Sequence, residues 1–192
     1  MNVNFFKCLL IILLIPTLYS QTRYELKCPE NLINGSYKIL LEQVGKLETG
    51  NNRGIADIYN RSIGNPLGSP YCQAGQYYCY LTAAHKLGNP SMFLPLPRNG
   101  LANSTFDNAK RKGIKTRYAA RKHDFIIWKS IYNYTGHIER IVEVRKGGWV
   151  KTVGFNTGSK SEDNGEGVCY KMRNINFPLS RIKQIRGLVG IK

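Results

Sequence analysis

Residues 68–90 read "GSPYCQAGQYYCYLTAAHKLGNP", a pattern that predicts a helix with a cysteine in its first turn. Ser69 can serve as the N-cap, Pro70 fits the first helical position, and Gly88 ends the run. Cys72 would then lie among the free backbone N–H groups of a helix N-terminus, where the helix dipole favours a thiolate. Free cysteines are also often buried core residues. Position alone therefore leaves a nucleophile and a structural cysteine as equal alternatives.

Helical patterns surround this stretch, and strand patterns follow it. Apolar residues recur at helical spacing on the N-terminal side, whereas the later segments are short, β-branched and aromatic, with turns between them. The predicted helices cover 36–50, 51–64, 69–87 and about 105–112, and the predicted strands cover 124–130, 136–144, 149–157, 167–175 and part of 181–191. Helices followed by a run of strands predict one α+β domain.

The N-terminus has the composition of a secretory signal peptide. Lys7 precedes a short apolar run at 8–18, which predicts a signal peptide over residues 1–20. An N-terminal segment at 21–35 and a single catalytic domain at 36–192 would follow. No later stretch is apolar enough to cross a bilayer, so we expect a secreted or periplasmic protein without a membrane span after signal removal. A retained N-terminal anchor is the lesser alternative.

The chain is strongly basic, with a formal net charge of +16. Exported basic proteins meet anionic polymers, cell envelopes or nucleic acid. Small clusters of basic residues lie at 110–123 and 181–192, but no nucleic-acid-binding motif accompanies them. A solvated basic face explains such clusters equally well. We therefore expect no nucleic-acid partner and take the charge as information about surroundings.

Export would allow the cysteines to form disulfides. Cys72 and Cys79 cannot pair within one helix, because about 10 Å of helical rise separates them. If Cys72 stays free, at most one bridge forms among the remaining cysteines of the mature chain, and we expect Cys28–Cys169, although spacing does not fix the pairing. Neither C-x-x-C nor H-E-x-x-H occurs in the mature chain. We therefore expect no metal and no other cofactor.

A nucleophilic cysteine needs a base and a group that orients the base. His85 lies on the same predicted helix, roughly 20 Å from Cys72 along its axis, and cannot be that base. His123 precedes a strand and adjoins Asp124, which makes it one candidate. His137 opens an alternating strand and is the other, with the polar Asn156 near the end of the neighbouring strand. These residues predict a cysteine, histidine and amide arrangement.

The segment "ETGNNRGIADIYNRSIGNPLGSPYCQAGQYYC" (48–79) resembles the nucleophile region of CHAP domains, the cysteine- and histidine-dependent amidohydrolases/peptidases of the NlpC/P60-like group. "DFIIWK", "GHIERIVEV…WVKTVGFNTG" and "GEGVCYKMRNI" resemble the later strands of these domains, in the same order. The similarity runs from about residue 36 to 177. It implies a monomeric papain-like, NlpC/P60-type α+β fold, with N-terminal helices and the nucleophile helix packed on an antiparallel sheet.

The resemblance also implies roles for single residues. Cys72 corresponds to the nucleophile, whose backbone N–H would help to hold the oxyanion, and His137 corresponds to the base. These domains commonly carry an acid, and an asparagine two positions later, on the strand after the histidine. Here those positions are Gly154 and Asn156, so Asn156 is expected to orient the histidine. Tyr71 takes the aromatic place before the cysteine and is expected to shape the substrate cleft.

The function implied is peptidoglycan hydrolysis through a thioester, either as an N-acetylmuramoyl-L-alanine amidase or as an endopeptidase. Peptidoglycan would be the main partner, together with an immunity or secretion protein if the enzyme acts as a toxin. Two alternatives remain. The missing acid at Gly154 would suit a catalytically inactive CHAP-like module that binds wall or a partner protein, and charge alone would suit an exported nucleic-acid-binding protein. If Asn156 does not orient His137, Glu139 on the same strand is the next candidate.

Overall fold

The computed structural model describes residues 21–88, 94–158 and 166–192, so the predicted signal peptide at 1–20 lies outside the described residues. The described residues form four α-helices and seven strands. In chain order these elements are β1 Arg23–Leu26, α1 Glu30–Gln43, α2 Ile55–Ile63, α3 Cys72–Lys86, α4 Ala102–Lys112, β2 Ile114–Thr116, β3 Phe125–Ser130, β4 Gly136–Val144, β5 Trp149–Phe155, β6 Val168–Asn174 and β7 Lys183–Ile191.

The seven strands form one sheet in the order β2-β1-β7-β3-β4-β5-β6. All neighbouring pairs are antiparallel except β1 and β7, which are parallel. The predicted α+β class is confirmed. None of the helices in the described ranges has both the length and the apolar character that a membrane crossing requires.

Both faces of the sheet are covered, as the side chains of β3 show. Phe125 and Ile127 belong to the main core that the helices build on one face, whereas Ile126 and Trp128 belong to a smaller cluster on the other face. Successive side chains of a strand point to opposite faces, so a strand that is buried on both faces reads as a continuous apolar run. The sequence "FIIW" has that form.

Helix α3 begins at Cys72, which places the cysteine at the first helical position. Tyr71 is the N-cap residue, so the predicted cap at Ser69 is wrong. The loop before the helix is instead tied by Asn60, whose amide donates to the Ser69 carbonyl at 2.8 Å. The helix packs tightly on β5, because a Cβ atom on Gly75 would lie only 2.1 Å from the Phe155 ring.

The N-terminal part of the described chain is more ordered than the sequence suggests. Residues 21–35 were predicted as a separate segment, but β1 pairs with both β2 and β7, and α1 begins at Glu30. The boundary predicted at residue 36 therefore falls inside α1. Strands β1 and β2 were not predicted, because each has only three or four residues and its pairing partners lie far away in sequence.

The predicted Cys28–Cys169 disulfide is not formed, and Cys28, Cys72 and Cys79 are free thiols. Cys28 follows β1, whereas Cys169 lies on β6, and four strands separate β1 from β6 in the sheet. A disulfide requires a Cα separation of about 4.4–6.8 Å, which is close to a single strand spacing.

Candidate active site

The N-terminus of α3 meets the beginning of β4, and this contact joins Cys72 to His137. The side chains of Cys72 and His137 interact, and each shifts the pKa of the other. The backbone N–H groups of Gln73 and Ile138 also lower the pKa of Cys72. Both side chains are nearly buried, with 6% of Cys72 and 4% of His137 exposed. The indole of Trp128 supports the imidazole from the neighbouring strand, with 5.9 Å between the ring centroids.

The group that faces the other side of the imidazole is Glu139. Its Oε1 lies 3.0 Å from His137 Nε2, and the carboxylate is completely buried. Two residues on the same strand share a face when they are two positions apart, which brings these side chains together. With Nε2 facing the carboxylate, Nδ1 is the ring nitrogen left to exchange a proton with the thiol.

The Glu139 carboxylate is held by further donors. Arg173 on β6 donates from Nε to Oε2 at 2.9 Å and from its terminal nitrogen to Oε1 at 2.7 Å. Thr152 on β5 donates from its hydroxyl to Oε2 at 2.6 Å. A bidentate arginine fixes a carboxylate in orientation as well as in charge. Strands β4, β5 and β6 thus hold the acid against the imidazole.

The titration of the three groups is coupled. Burial raises the pKa of Cys72, but His137, together with the backbone N–H groups of Gln73 and Ile138, outweighs burial and lowers the pKa overall. Burial lowers the pKa of His137, but Cys72 and Glu139 outweigh it and raise the pKa to about 9. Burial also raises the pKa of Glu139, but His137 and Arg173 hold it well below its ordinary value. The site therefore favours a thiolate, an imidazolium and a carboxylate.

Asn156 is not the group that the structure places against His137. Strand β5 ends at Phe155, two residues earlier than predicted, and Asn156 follows in the left-handed conformation with φ 53°. Its side-chain Oδ1 is buried without a hydrogen-bond partner in the described part of the chain. The geometry favours Glu139 over Asn156 as the residue that orients the base.

Tyr71, the N-cap residue of α3, lies in the main core. Its side chain is fully buried and stacks on Tyr59, with 5.7 Å between the ring centroids. The structure shows a packing role for Tyr71 at the start of α3, and the substrate contact stays a prediction.

The other two histidines of the chain lie away from Cys72. His85 is exposed in the last turn of α3. His123 packs edge-on against Tyr37, with its Nδ1 3.2 Å from the guanidinium of Arg140. Of the two candidate bases, His137 is the one that the fold brings to the nucleophile.

Sequence reasoning ranked Glu139 behind Asn156 and missed Arg173. The signal for Glu139 was present, because an acid two positions after a strand histidine shares its face. Arg173 gave no local signal, since its contact with Glu139 depends on the order of β4, β5 and β6. Within the described ranges, no cluster of three or more His, Cys, Asp or Glu side chains is arranged to hold a metal ion.

In comparisons with known proteins, no protein family model, no curated protein and no solved structure matches the chain.

Proposed function

We propose that this protein is an exported cysteine hydrolase that cleaves an amide bond of peptidoglycan, either the N-acetylmuramoyl-L-alanine amide or a peptide bond of the stem or cross-bridge. The observation that carries the proposal is the buried chain of contacts from Cys72 through His137 to Glu139. A nucleophile, a base and an orienting acid in series are the parts that covalent acyl transfer requires.

In the first half of the reaction, the Cys72 thiolate attacks the amide carbonyl carbon and forms a C–S bond. The carbonyl oxygen becomes an oxyanion beside the first turn of α3, whose leading N–H groups have no intrahelical partner. His137 then gives its proton to the amide nitrogen, the C–N bond breaks, and the amine leaves. The acyl group remains on Cys72 as a thioester.

In the second half, water replaces the amine. His137 takes a proton from water, whose oxygen attacks the thioester carbonyl, and the C–S bond breaks. The carboxylic acid product leaves, and Cys72 and His137 return to the ion pair. Glu139 keeps the imidazole oriented and compensates its positive charge in both halves, so the acid itself stays ionised.

The substrate class and the finer fold rest on the sequence resemblance. A nucleophile at the start of a helix packed on a mostly antiparallel sheet supports a papain-like, NlpC/P60-type fold for this chain. The motifs from about 36 to 177 support a wall substrate, and a net charge of +16 suits an enzyme that works among anionic wall polymers. The predicted signal peptide supports export to the periplasm or beyond.

The test is hydrolysis of purified sacculi by the purified protein, with mass spectrometry of the released fragments. We expect new amine and carboxyl termini at one kind of amide bond. Cys72→Ala should abolish their release, whereas Cys79→Ala, on the same helix, should retain it. Circular dichroism would verify that both variants fold. Full activity in Cys72→Ala would refute the proposal, and wall or nucleic-acid binding without any turnover would favour a binding module.

A further inference from the structure

We infer that positions 139 and 154 share a single carboxylate site, so that a glutamate at 139 requires a glycine at 154 and the orienting acid can be supplied from either strand. The inference rests on the proposed function only in taking the carboxylate as the group that orients His137. It assigns Gly154 a positioning role, since this residue acts through Glu139.

The two positions face each other across the sheet. Glu139 on β4 pairs directly with Gly154 on β5. Directly opposed residues of antiparallel strands place their side chains on the same face, with their Cβ atoms about 5 Å apart. A Cβ atom added to Gly154 would lie 3.0 Å from both Cγ and Oε1 of Glu139, and 2.9 Å from the Thr157 methyl group. The same Oε1 is the atom that faces His137 Nε2.

Backbone conformation does not explain this glycine. Gly154 lies inside β5 and is not among the residues with positive φ. A glycine within a strand weakens the strand, and its usual reasons are a bulge, a bend or the close approach of another group. Here the Glu139 carboxylate is the approaching group. The lack of room for a side chain beside Glu139, rather than the backbone torsion angles, therefore explains why residue 154 is a glycine.

The charges around the site suit one carboxylate. Glu139 receives two hydrogen bonds from Arg173 and one from Thr152, and it faces His137. Removing the acid would remove the buried anion that contacts both Arg173 and His137. Adding a second acid would place two carboxylates in the same buried space, where like charges oppose joint ionisation. Each single change should thus impair the site.

The arrangement also accounts for the departure from the CHAP pattern. That pattern has an acid at the position of Gly154, and this chain has the acid directly across the β4–β5 pair. One carboxylate in the same space can serve the same imidazole from either strand. The chain therefore carries a transposed acid rather than a missing one.

The experiment compares wild type with E139G, G154E and the exchange variant E139G/G154E, with E139G/G154Q as the uncharged control of equal size. The first readout is the rate at which iodoacetamide alkylates Cys72 at pH 6, which reports the thiolate and needs no substrate. The second is sacculus hydrolysis. We expect each single variant to alkylate at least about tenfold more slowly than wild type. Hydrolysis should fall on the order of 10²–10⁴-fold in E139G.

The exchange variant should recover at least about tenfold over both single variants in the alkylation rate, whereas the E139G/G154Q control should not. A folded exchange variant no better than E139G, or a control that recovers equally, would overturn the inference. If the exchange variant does not fold, G154A provides the test, because its one added methyl group crowds Glu139. A wild-type rate of Cys72 alkylation in G154A would also overturn the inference. Alkylation that follows this pattern without any wall hydrolysis would refute the substrate and leave the inference standing.

Discussion

One histidine, His137, lies on β4 and another, His123, lies beside it, and their surroundings carry opposite charges. His137 faces the carboxylate of Glu139, whereas His123 faces the guanidinium of Arg140. Cys72 and Glu139 outweigh burial and raise the pKa of His137 to about 9. Burial, together with Arg140 and Lys122, lowers the pKa of His123 to about 4.

The difference comes from one step along the strand. Glu139 and Arg140 are consecutive, and consecutive residues of a strand point to opposite faces. Glu139 lies on the face of the sheet that holds the site, and Arg140 lies on the face that packs on α1. There Arg140 donates to the Ser36 hydroxyl at 2.9 Å and to the Ile33 carbonyl at 3.1 Å. One histidine becomes a cation that can give up a proton, and the other stays neutral.

The comparison also shows that neighbours in sequence can mislead. Asp124 adjoins His123 and made that histidine a plausible base. In the structure, Asp124 is buried and binds Arg23 through two hydrogen bonds of 2.8 and 2.9 Å. The acid next to His123 therefore supports β1 rather than a catalytic base.

The largest expected effect separates the two histidines by activity. His137→Ala should lower sacculus hydrolysis on the order of 10⁴–10⁶-fold, by analogy with triads that lose their base. His123→Ala should leave turnover near that of wild type, because His123 does not touch Cys72. Fragment release by both variants, measured alongside thermal unfolding, tests this contrast. The comparison fails if His123→Ala is the inactive variant.

A smaller effect is expected in thiol reactivity. Burial raises the pKa of Cys28 to about 11 and that of Cys79 to about 12, whereas His137 lowers that of Cys72. In the folded protein near neutral pH, iodoacetamide should label Cys72 at least about a hundredfold faster than Cys79. Peptide mapping by mass spectrometry would measure both rates.

The His137→Ala variant provides the control for that measurement, because it should slow the labelling of Cys72 and leave that of Cys79 unchanged. Equal labelling of the two cysteines in the folded wild type would contradict the ion pair.

The smallest expected effect concerns stability against pH. A histidine with a folded pKa near 4 and an ordinary pKa of 6.5 binds protons more readily when unfolded. The contribution of neutral His123 to the free energy of unfolding is complete above pH 6.5, falls as the pH drops, and is lost once the pH falls below about 4. In His123→Gln, the loss of unfolding free energy between pH 6.5 and pH 4 should be smaller than in wild type by about 1–2 kcal/mol, a figure reduced for partial exposure of the histidine to solvent. Urea unfolding between pH 4 and 7 would measure it.

His137 should show the opposite sign. Its folded pKa of about 9 lies above the ordinary 6.5, so its contribution to stability is complete below pH 6.5 and is lost as the pH rises through 9. His137→Gln should flatten the alkaline side of the stability curve and leave the acid side unchanged. An alkaline loss that persists in this variant would assign the effect to other groups.

The sequence was informative where local pattern decides structure. Helix α3 and strands β3 to β7 follow from periodicity and turns, and the cysteine in the first turn of α3 follows from the same stretch. Cys72 and His137 could be paired because helix position and strand alternation restrict where their side chains lie. The orienting group was assigned to Asn156 on a strand predicted to reach residue 157, whereas β5 ends at Phe155, and strand ends are the least predictable part of a pattern.

The features that the sequence did not predict depend on contacts between distant segments. Arg173 reaches Glu139 only because β6 pairs with β5, and Arg23 reaches Asp124 only because β1 joins the sheet. The role of Gly154 needs the register of β4 on β5, in which Glu139 and Gly154 are opposite. No periodicity within a single segment encodes such a register.

The parallel pairing of β1 with β7 affects how the chain reaches its folded state. Arg23 pairs with Leu188, so most of the chain must be synthesised before this contact can form. Strand β7 lies between β1 and β3, so the sheet remains in two parts until β7 arrives. Pairings between distant segments slow folding, because the long loop must close before the contact stabilises it. A nascent chain therefore stays incompletely folded until β7 emerges from the ribosome.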